Sequence, residues 1–234
     1  MKFPTQQLLN WFSMHQRKLP WRKNYSPYDV WLSEVMAQQT RIEQMLPYYE
    51  KFLKQFPHVK SLADADEERV LKAWEGLGYY SRARNLHHTA KQIAYEKKGK
   101  FPQTKKEWQE LKGVGPYISS AIASIAFNEN VPVVDGNVLR VMSRVWGNPS
   151  DIAENETKKI FEEKLQTIVA DVHAREFNQA LMELGALVCV PENPLCEKCP
   201  LTESCFAFLH EKQSDFPMKT KKAKTPHKHF AAIR

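Results

Sequence analysis

Apolar residues recur through most of this chain at the three- and four-residue spacing of amphipathic helices, and the runs are cut by Pro, Gly or capping residues. The pattern predicts helices beginning near Thr5, Pro27, Arg41, Ala65, Ser81, Thr104, Pro116, Asp135, Asn155 and Arg175, with a short one near Leu201. Alternating, strand-like stretches are almost absent, and no long internal repeat is visible. The helix from Asp135 is cleanly two-faced: Val138, Val141, Met142, Val145 and Trp146 form one stripe, while Asn137, Arg140 and Arg144 share another face. The expectation is an all-α protein of many short helices joined by tight turns. After Cys205 the chain becomes polar and Lys-rich, the composition of a linker. Its last run, His229 to Arg234, is apolar and strand-like, and reads as a frayed end or, the reading we favour, as the start of a further domain.

Composition narrows the class. With 234 residues there is room for one large domain or two small ones, and 42% apolar with 26% charged residues is ordinary for a globular protein. No apolar run approaches the roughly 18 residues of a membrane span, and the first residues lack a secretory signal pattern. A cytoplasmic protein, working in a bacterial cytosol, is expected. The net charge of +7 invites a nucleic-acid reading. Its placement tempers that: residues 219 to 234 hold five Lys, one Arg and no acid, so the body of the chain is nearly neutral. Glycine is scarce, and five of the eight fall at three places: Gly76 with Gly78, Gly113 with Gly115, and Gly136. A chain so poor in glycine puts it where the backbone needs it.

Five segments carry chemistry. The four cysteines, Cys189, Cys196, Cys199 and Cys205, are spaced Cys-x6-Cys-x2-Cys-x5-Cys, with none in the preceding 188 residues. Clustering in this way favours a metal over disulfide staples. The spacing suits a [4Fe-4S] cluster held through one cysteine per iron, with structural zinc or unligated thiols as alternatives. Leu111-Lys112-Gly113-Val114-Gly115-Pro116-Tyr117 reads as a sharp turn between helices whose backbone N–H groups, with Lys112, face an anion such as a DNA phosphate; a plain interhelical turn is the bland alternative. Gly76 to Asn85 packs two glycines, Tyr79 and Tyr80, and Arg82 and Arg84 into ten residues, which fits a loop facing a phosphate backbone with a ring to wedge into the base stack.

Two carboxylates complete the set. Asp135 occupies an N-cap position, and capping alone would explain it. It also lies 20 residues past Gly115, where the second hairpin helix could return it toward bound DNA. Glu34 sits in the largely apolar helix Val30 to Ala37, where desolvation would raise its pKa and suit it to general acid work; a solvated helical glutamate is the ordinary alternative.

Together these motifs resemble the adenine DNA glycosylase (MutY) family of the helix-hairpin-helix glycosylases. The matching stretches are Leu19 to Arg22, Leu32 to Thr40, Gly76 to Leu86, Leu111 to Tyr117, Val134 to Arg140, Phe177 to Cys189 and the four cysteines, over roughly residues 5 to 210. The resemblance implies an all-helical fold with a six-helix barrel carrying the hairpin (26–132), a discontinuous iron–sulfur lobe (1–25 and 133–212), and a basic linker leading into a truncated C-terminal domain (213–234). It implies a monomeric, monofunctional enzyme hydrolysing the N-glycosidic bond of adenine opposite 8-oxoguanine or guanine in duplex DNA, with a [4Fe-4S] cluster on the four cysteines. Glu34 matches the proton donor and Asp135 the stabilising carboxylate, with Tyr117 and Asn137 orienting them. Gln39, Thr40, Tyr79, Arg82 and the hairpin residues Lys112, Gly113, Val114 and Gly115 match DNA-facing positions. Arg17, Trp21, Arg22, Ile42 and Gln179 match the vicinity of the adenine pocket. The rival is an endonuclease III-like glycosylase/lyase, which uses a lysine where this chain has Tyr117; a non-catalytic DNA-binding iron–sulfur module is the other alternative.

Overall fold

The computed structural model describes residues 3–220; the run His229–Arg234 and most of the basic tail lie outside the described residues. The α-helices are α1 (Thr5–His15), α2 (Pro27–Ala37), α3 (Ile42–Gln55), α4 (Val59–Ala63), α5 (Glu67–Ala73), α6 (Ser81–Lys91), α7 (Lys105–Gln109), α8 (Pro116–Phe127), α9 (Gly136–Trp146), α10 (Asn155–Val169), α11 (Ala174–Leu187) and α12 (Phe206–Leu209). Short 3₁₀ turns at Pro20–Arg22, Cys196–Lys198 and Thr202–Ser204 and a π turn at Gln92–Glu96 fill the connections. Among the described residues there is no strand.

Local chemistry explains the boundaries. Pro27 and Pro116 open α2 and α8 at positions where a missing N–H costs nothing. Thr104 and Glu107 cap α7 reciprocally, and Asp135 caps α9 by accepting the Val138 N–H. Helix α9 ends at Gly147, whose φ of +60° suits glycine, and a Cβ there would lie 2.3 Å from the Phe206 ring. Helix α4 is absent from the predicted set. Its capping box joins His58 to Ser61, and histidine is outside the Ser, Thr, Asp and Asn set by which such starts are recognised.

Two apolar cores form. The first runs from Leu19 to Val133 and centres on Trp31, Trp74, Trp108, Phe52 and Phe56. The second joins Leu8, Trp11 and Phe12 of α1 to residues between Val138 and Leu201. Each fully buried Leu or Phe in such a core contributes about 1.5–3 kcal/mol. Helix α11 packs on α1, α8 and α9, and its Met182 touches both cores. The cleft between the cores is therefore walled by α2 and α8 on one side and by the start of α9 and α11 on the other.

Candidate active site

Glu34 projects from α2 into a cleft of about 570 Å³. Its helix is buried on nearly every side, and the residue is only 7% exposed, so the carboxyl meets solvent through the cleft alone. Burial raises its pKa to about 7, assisted by the negative charge of Asp135 and opposed by the Tyr117 hydroxyl and Arg22. The Tyr117 O–H, from the first turn of α8, donates to Glu34 Oε2 at 2.6 Å. The expectation of a desolvated carboxyl is met, and the solvated alternative is excluded.

Asp135 lines the same cleft from the other core. Its Oδ1 accepts the Val138 N–H at 2.7 Å and its Oδ2 accepts Asn137 Nδ2 at 3.0 Å. Burial raises its pKa, while these donors pull the other way. Asn137 is itself oriented, because Arg140 can only donate and takes Asn137 Oδ1 at 2.8 Å. Arg140 also donates to Gly185 O and to Cys189 O, each at 2.8 Å. A relay of hydrogen bonds thus runs from the carboxylate of Asp135 to the backbone of the first cysteine. Glycine at 185 permits it, since a Cβ there would sit 2.6 Å from Asn137 Cβ.

Arg17, Trp21, Arg22, Ile42, Gln179 and Thr40 line this cleft too. Sequence reasoning missed the residue that organises them. Glu183 of α11, 1% exposed, accepts from the side chains of both Arg17 and Arg22 at 2.9–3.2 Å and from the Arg17 N–H at 2.8 Å. Burial alone would raise its pKa, yet the two guanidinium groups outweigh it and hold the carboxylate at about 2. Arg22 Nε donates to Gln179 Oε1 at 2.9 Å. A lone Glu on a mostly apolar helix carries no local motif, so only the fold brings it to the two arginines.

A second, more open cleft adjoins the first and shares Tyr117 and Asp135. Gln39 and Tyr79 line it from loops on which both adopt left-handed backbone, with φ of +57° and +47°. Tyr79 is 62% exposed. Arg82 departs from the expected outward role. Its guanidinium turns inward to the carbonyls of Val35, Met36 and Gln38, at the end of α2, and to Leu77 and Gly78. A helix C-terminus leaves such carbonyls without partners, and one planar cation collects them. Arg82 therefore fixes the loops that carry Gln39 and Tyr79.

The hairpin turn lies between α7 and α8. Gly113 has φ +76°, and a Cβ there would fall 2.6 Å from Asn85 Cβ, so glycine is required on both counts. Val114 is not outward-facing as expected: its side chain is buried in the first core and its N–H bonds Leu111 O. The Lys112 N–H takes Gln92 Oε1 at 3.3 Å. Among the described residues no protein acceptor takes the N–H of Gly113 or Gly115. The Lys112 side chain is exposed.

The four cysteines line one recess with Val141, Leu184, Val188, Leu201 and Phe208. Among the described residues no three His, Cys, Asp or Glu side chains converge on a single metal-ion position. Burial pushes the Cys199 thiol up to about 12, so that thiol is neutral when it holds nothing. Two donors nonetheless point at sulfur: Arg144 Nη1 lies 3.4 Å from Cys189 Sγ, and the Leu201 N–H 3.5 Å from Cys199 Sγ. Arg144 is 3% exposed and also binds the carbonyls of Val190, Pro191, Gln213 and Phe216, which cross-braces the cysteine loop. An all-sulfur donor set with an apolar wall and sulfur-directed N–H groups fits a cysteine-held cluster.

Comparison with known proteins bears on this arrangement. Residues 32–170 match the profile of the HhH-GPD superfamily base excision DNA repair proteins. The chain belongs to this superfamily. Among curated superfamily proteins it is 39% identical over 208 residues to an adenine DNA glycosylase of Buchnera aphidicola subsp. Baizongia pistaciae, covering 88% of this chain and 59% of that protein. It is 41% identical over 209 residues to the adenine DNA glycosylase of Homo sapiens, covering 86% of this chain and 38% of that protein. The chain thus spans well under two thirds of these superfamily relatives. A solved thermostable thymine-DNA glycosylase superposes with a TM-score of 0.78 at 26% identity, covering 88% of this chain and 95% of that one. An endonuclease III–DNA complex superposes at 0.70 with 19% identity, covering 90% and 99%, and shares the fold. The all-helical glycosylase fold that the resemblance implies is the fold observed. No helix among the described residues is long and apolar enough to cross a membrane.

Proposed function

We propose that this chain is a monofunctional adenine DNA glycosylase, acting on adenine opposite 8-oxoguanine or guanine in duplex DNA. The observation that carries the reading is a buried Glu34, with its pKa near 7, facing Asp135 across one cleft. Adenine is a poor leaving group as an anion, so an acid must protonate it. At neutral pH about half of a carboxyl with this pKa holds its proton, which matches the demand on a general acid. The sugar left behind develops positive charge, and the Asp135 carboxylate is the anion available to stabilise it. Tyr117 and Asn137 hold the two groups in position. The cleft volume suits a purine turned out of the duplex, with Trp21 and Ile42 for its faces and Arg22, Gln179 and Glu183 for its edge.

Gln39, Thr40, Tyr79, Lys112 and the Gly113 and Gly115 amides serve as the DNA contacts in this reading. We assign residues 26–132 to the barrel, 1–25 and 133–212 to the cluster lobe, and 213–234 to a linker. The enzyme acts as a monomer in the cytosol. Cys189, Cys196, Cys199 and Cys205 would hold a [4Fe-4S] cluster, which would order the loop between α11 and α12. A lyase is disfavoured because among the described residues no lysine lines the cleft around Glu34, where Tyr117 stands instead, and a tyrosine forms no imine.

The test is single-turnover release of adenine from a duplex with one A:8-oxoguanine pair, with borohydride added in parallel. Adenine release with little trapped adduct is expected. No release overturns the proposal, and efficient trapping would favour the lyase.

A further inference from the structure

Beyond the cleft and the hairpin, one basic feature is built by elements that no part of the chemistry uses. After α12 the chain runs back across the second core as the segment Phe216–Thr220, and three bonds pin it. Phe216 O accepts from the buried Arg144 at 3.0 Å, Met218 O from the Ile152 N–H at 3.0 Å, and Asp151 Oδ2 accepts the Thr220 N–H at 3.0 Å. Phe216 is itself buried, edge-on to Phe206. The path so fixed brings Lys219 to the rim of the open cleft that Gln39, Tyr79 and Gly136 line, beside Lys158 from the first turn of α10. Both lysines are exposed. Lys158 Nζ reaches only Ala153 O, at 3.3 Å, and among the described residues neither lysine forms a salt bridge. Asp151 has Oδ1 on the Ala153 N–H and Oδ2 on the strap, so although it feels the charge of Lys219 it bonds the backbone and anchors the segment.

We infer that Phe216–Thr220 is a strap that presents Lys219, together with Lys158, to two backbone phosphates of duplex DNA at the cleft rim formed by the second core. The inference rests on the DNA glycosylase reading above. The hairpin belongs to the first core, so the duplex would be gripped from both sides, with Tyr79 and Gln39 between the two grips. Two phosphate contacts carry no sequence information; they set affinity and its salt dependence.

The experiment is fluorescence anisotropy of an undamaged labelled duplex bound by the 234-residue chain at several salt concentrations. It needs no glycosylase chemistry, so a failure here and a failure to release adenine are separately visible. The double variant Lys158→Met with Lys219→Met should flatten the slope of log affinity against log salt by about 1.8, at about 0.9 per phosphate contact. The affinity lost between about 50 and about 200 mM salt then shrinks about 12-fold. A double variant of equal charge change on α3, Lys51→Met with Lys54→Met, should keep the parent slope. Asp151→Ala gives the sharper result. Removing an acid near DNA ordinarily strengthens binding, whereas releasing the strap should weaken it and flatten the slope by about 0.9. Unchanged slopes in the lysine double variant, or tighter binding by Asp151→Ala, overturn the inference.

Discussion

Replacing Glu34 by Gln should make the protein more stable above neutral pH and leave it nearly unchanged in acid. The folded chain holds the Glu34 proton until about pH 7, against 4.5 for an ordinary glutamate. Between those values the folded state binds more protons than the unfolded one, so stability falls as pH rises through the window and levels off above it. The substituted glutamine has no proton to lose and can still accept from the Tyr117 hydroxyl. At about 1.4 kcal/mol per pKa unit, the wild type should lose roughly 2.5 kcal/mol relative to the variant between about pH 5 and about pH 8. For a chain of this size that is about 5–10 °C in Tm. The assay is a thermal melt of both proteins at several pH values across that window, read as the difference between them, so that groups common to both cancel. The variant should also lose adenine release by at least about 100-fold, the usual scale of general acid catalysis. Parallel melting curves across the whole range would refute the reasoning, because they would mean that Glu34 titrates as an ordinary glutamate.

Three further outcomes follow from the geometry. Asp135→Asn should keep the α9 cap, through its remaining side-chain oxygen, at a cost under about 1 kcal/mol in urea melts, yet abolish turnover, because a neutral amide cannot stabilise the positive charge that develops on the sugar. Arg82→Lys should destabilise the protein by at least about 2 kcal/mol, measured by denaturant midpoint, since an ammonium cannot serve five carbonyls split between the end of α2 and the loop before α6. Purified protein should be brown with about four irons per chain by elemental analysis, and Cys199→Ser should lower Tm before it alters chemistry; one zinc and no iron would refute the cluster.

Residues with local signals were legible in the sequence. Pro116, Thr104 and Asp135 mark helix starts by their own backbone chemistry, and Glu34 was legible because its apolar flanks leave no wet face. Residues whose role depends on distant partners were not. Glu183 gains its meaning only when α11 lies against the loop carrying Arg17 and Arg22, 161 and more positions away. Arg82 looks like any exposed basic residue until the carbonyls of α2 are brought to it. Arg144 has a helix face by its spacing, but nothing nearby in sequence reveals the five groups it would join.

The second core is assembled from both ends of the chain, and this has a consequence for synthesis. Leu8, Trp11 and Phe12 leave the ribosome long before their partners on α11, which begin at Ala174. At about 5–20 residues per second, that is a wait of roughly 8–30 s with three large apolar side chains uncovered. The first core can close meanwhile, since its members lie between Leu19 and Val133. A nascent chain would therefore already carry a finished home for Glu34 while Asp135 still lacked the Arg140 brace to Gly185 and Cys189. The brace on Asp135 would be complete only when the cysteine loop begins to be made. Ribosome-bound chains arrested shortly after Val133 has emerged should resist protease across 26–132 and remain cleavable within α1.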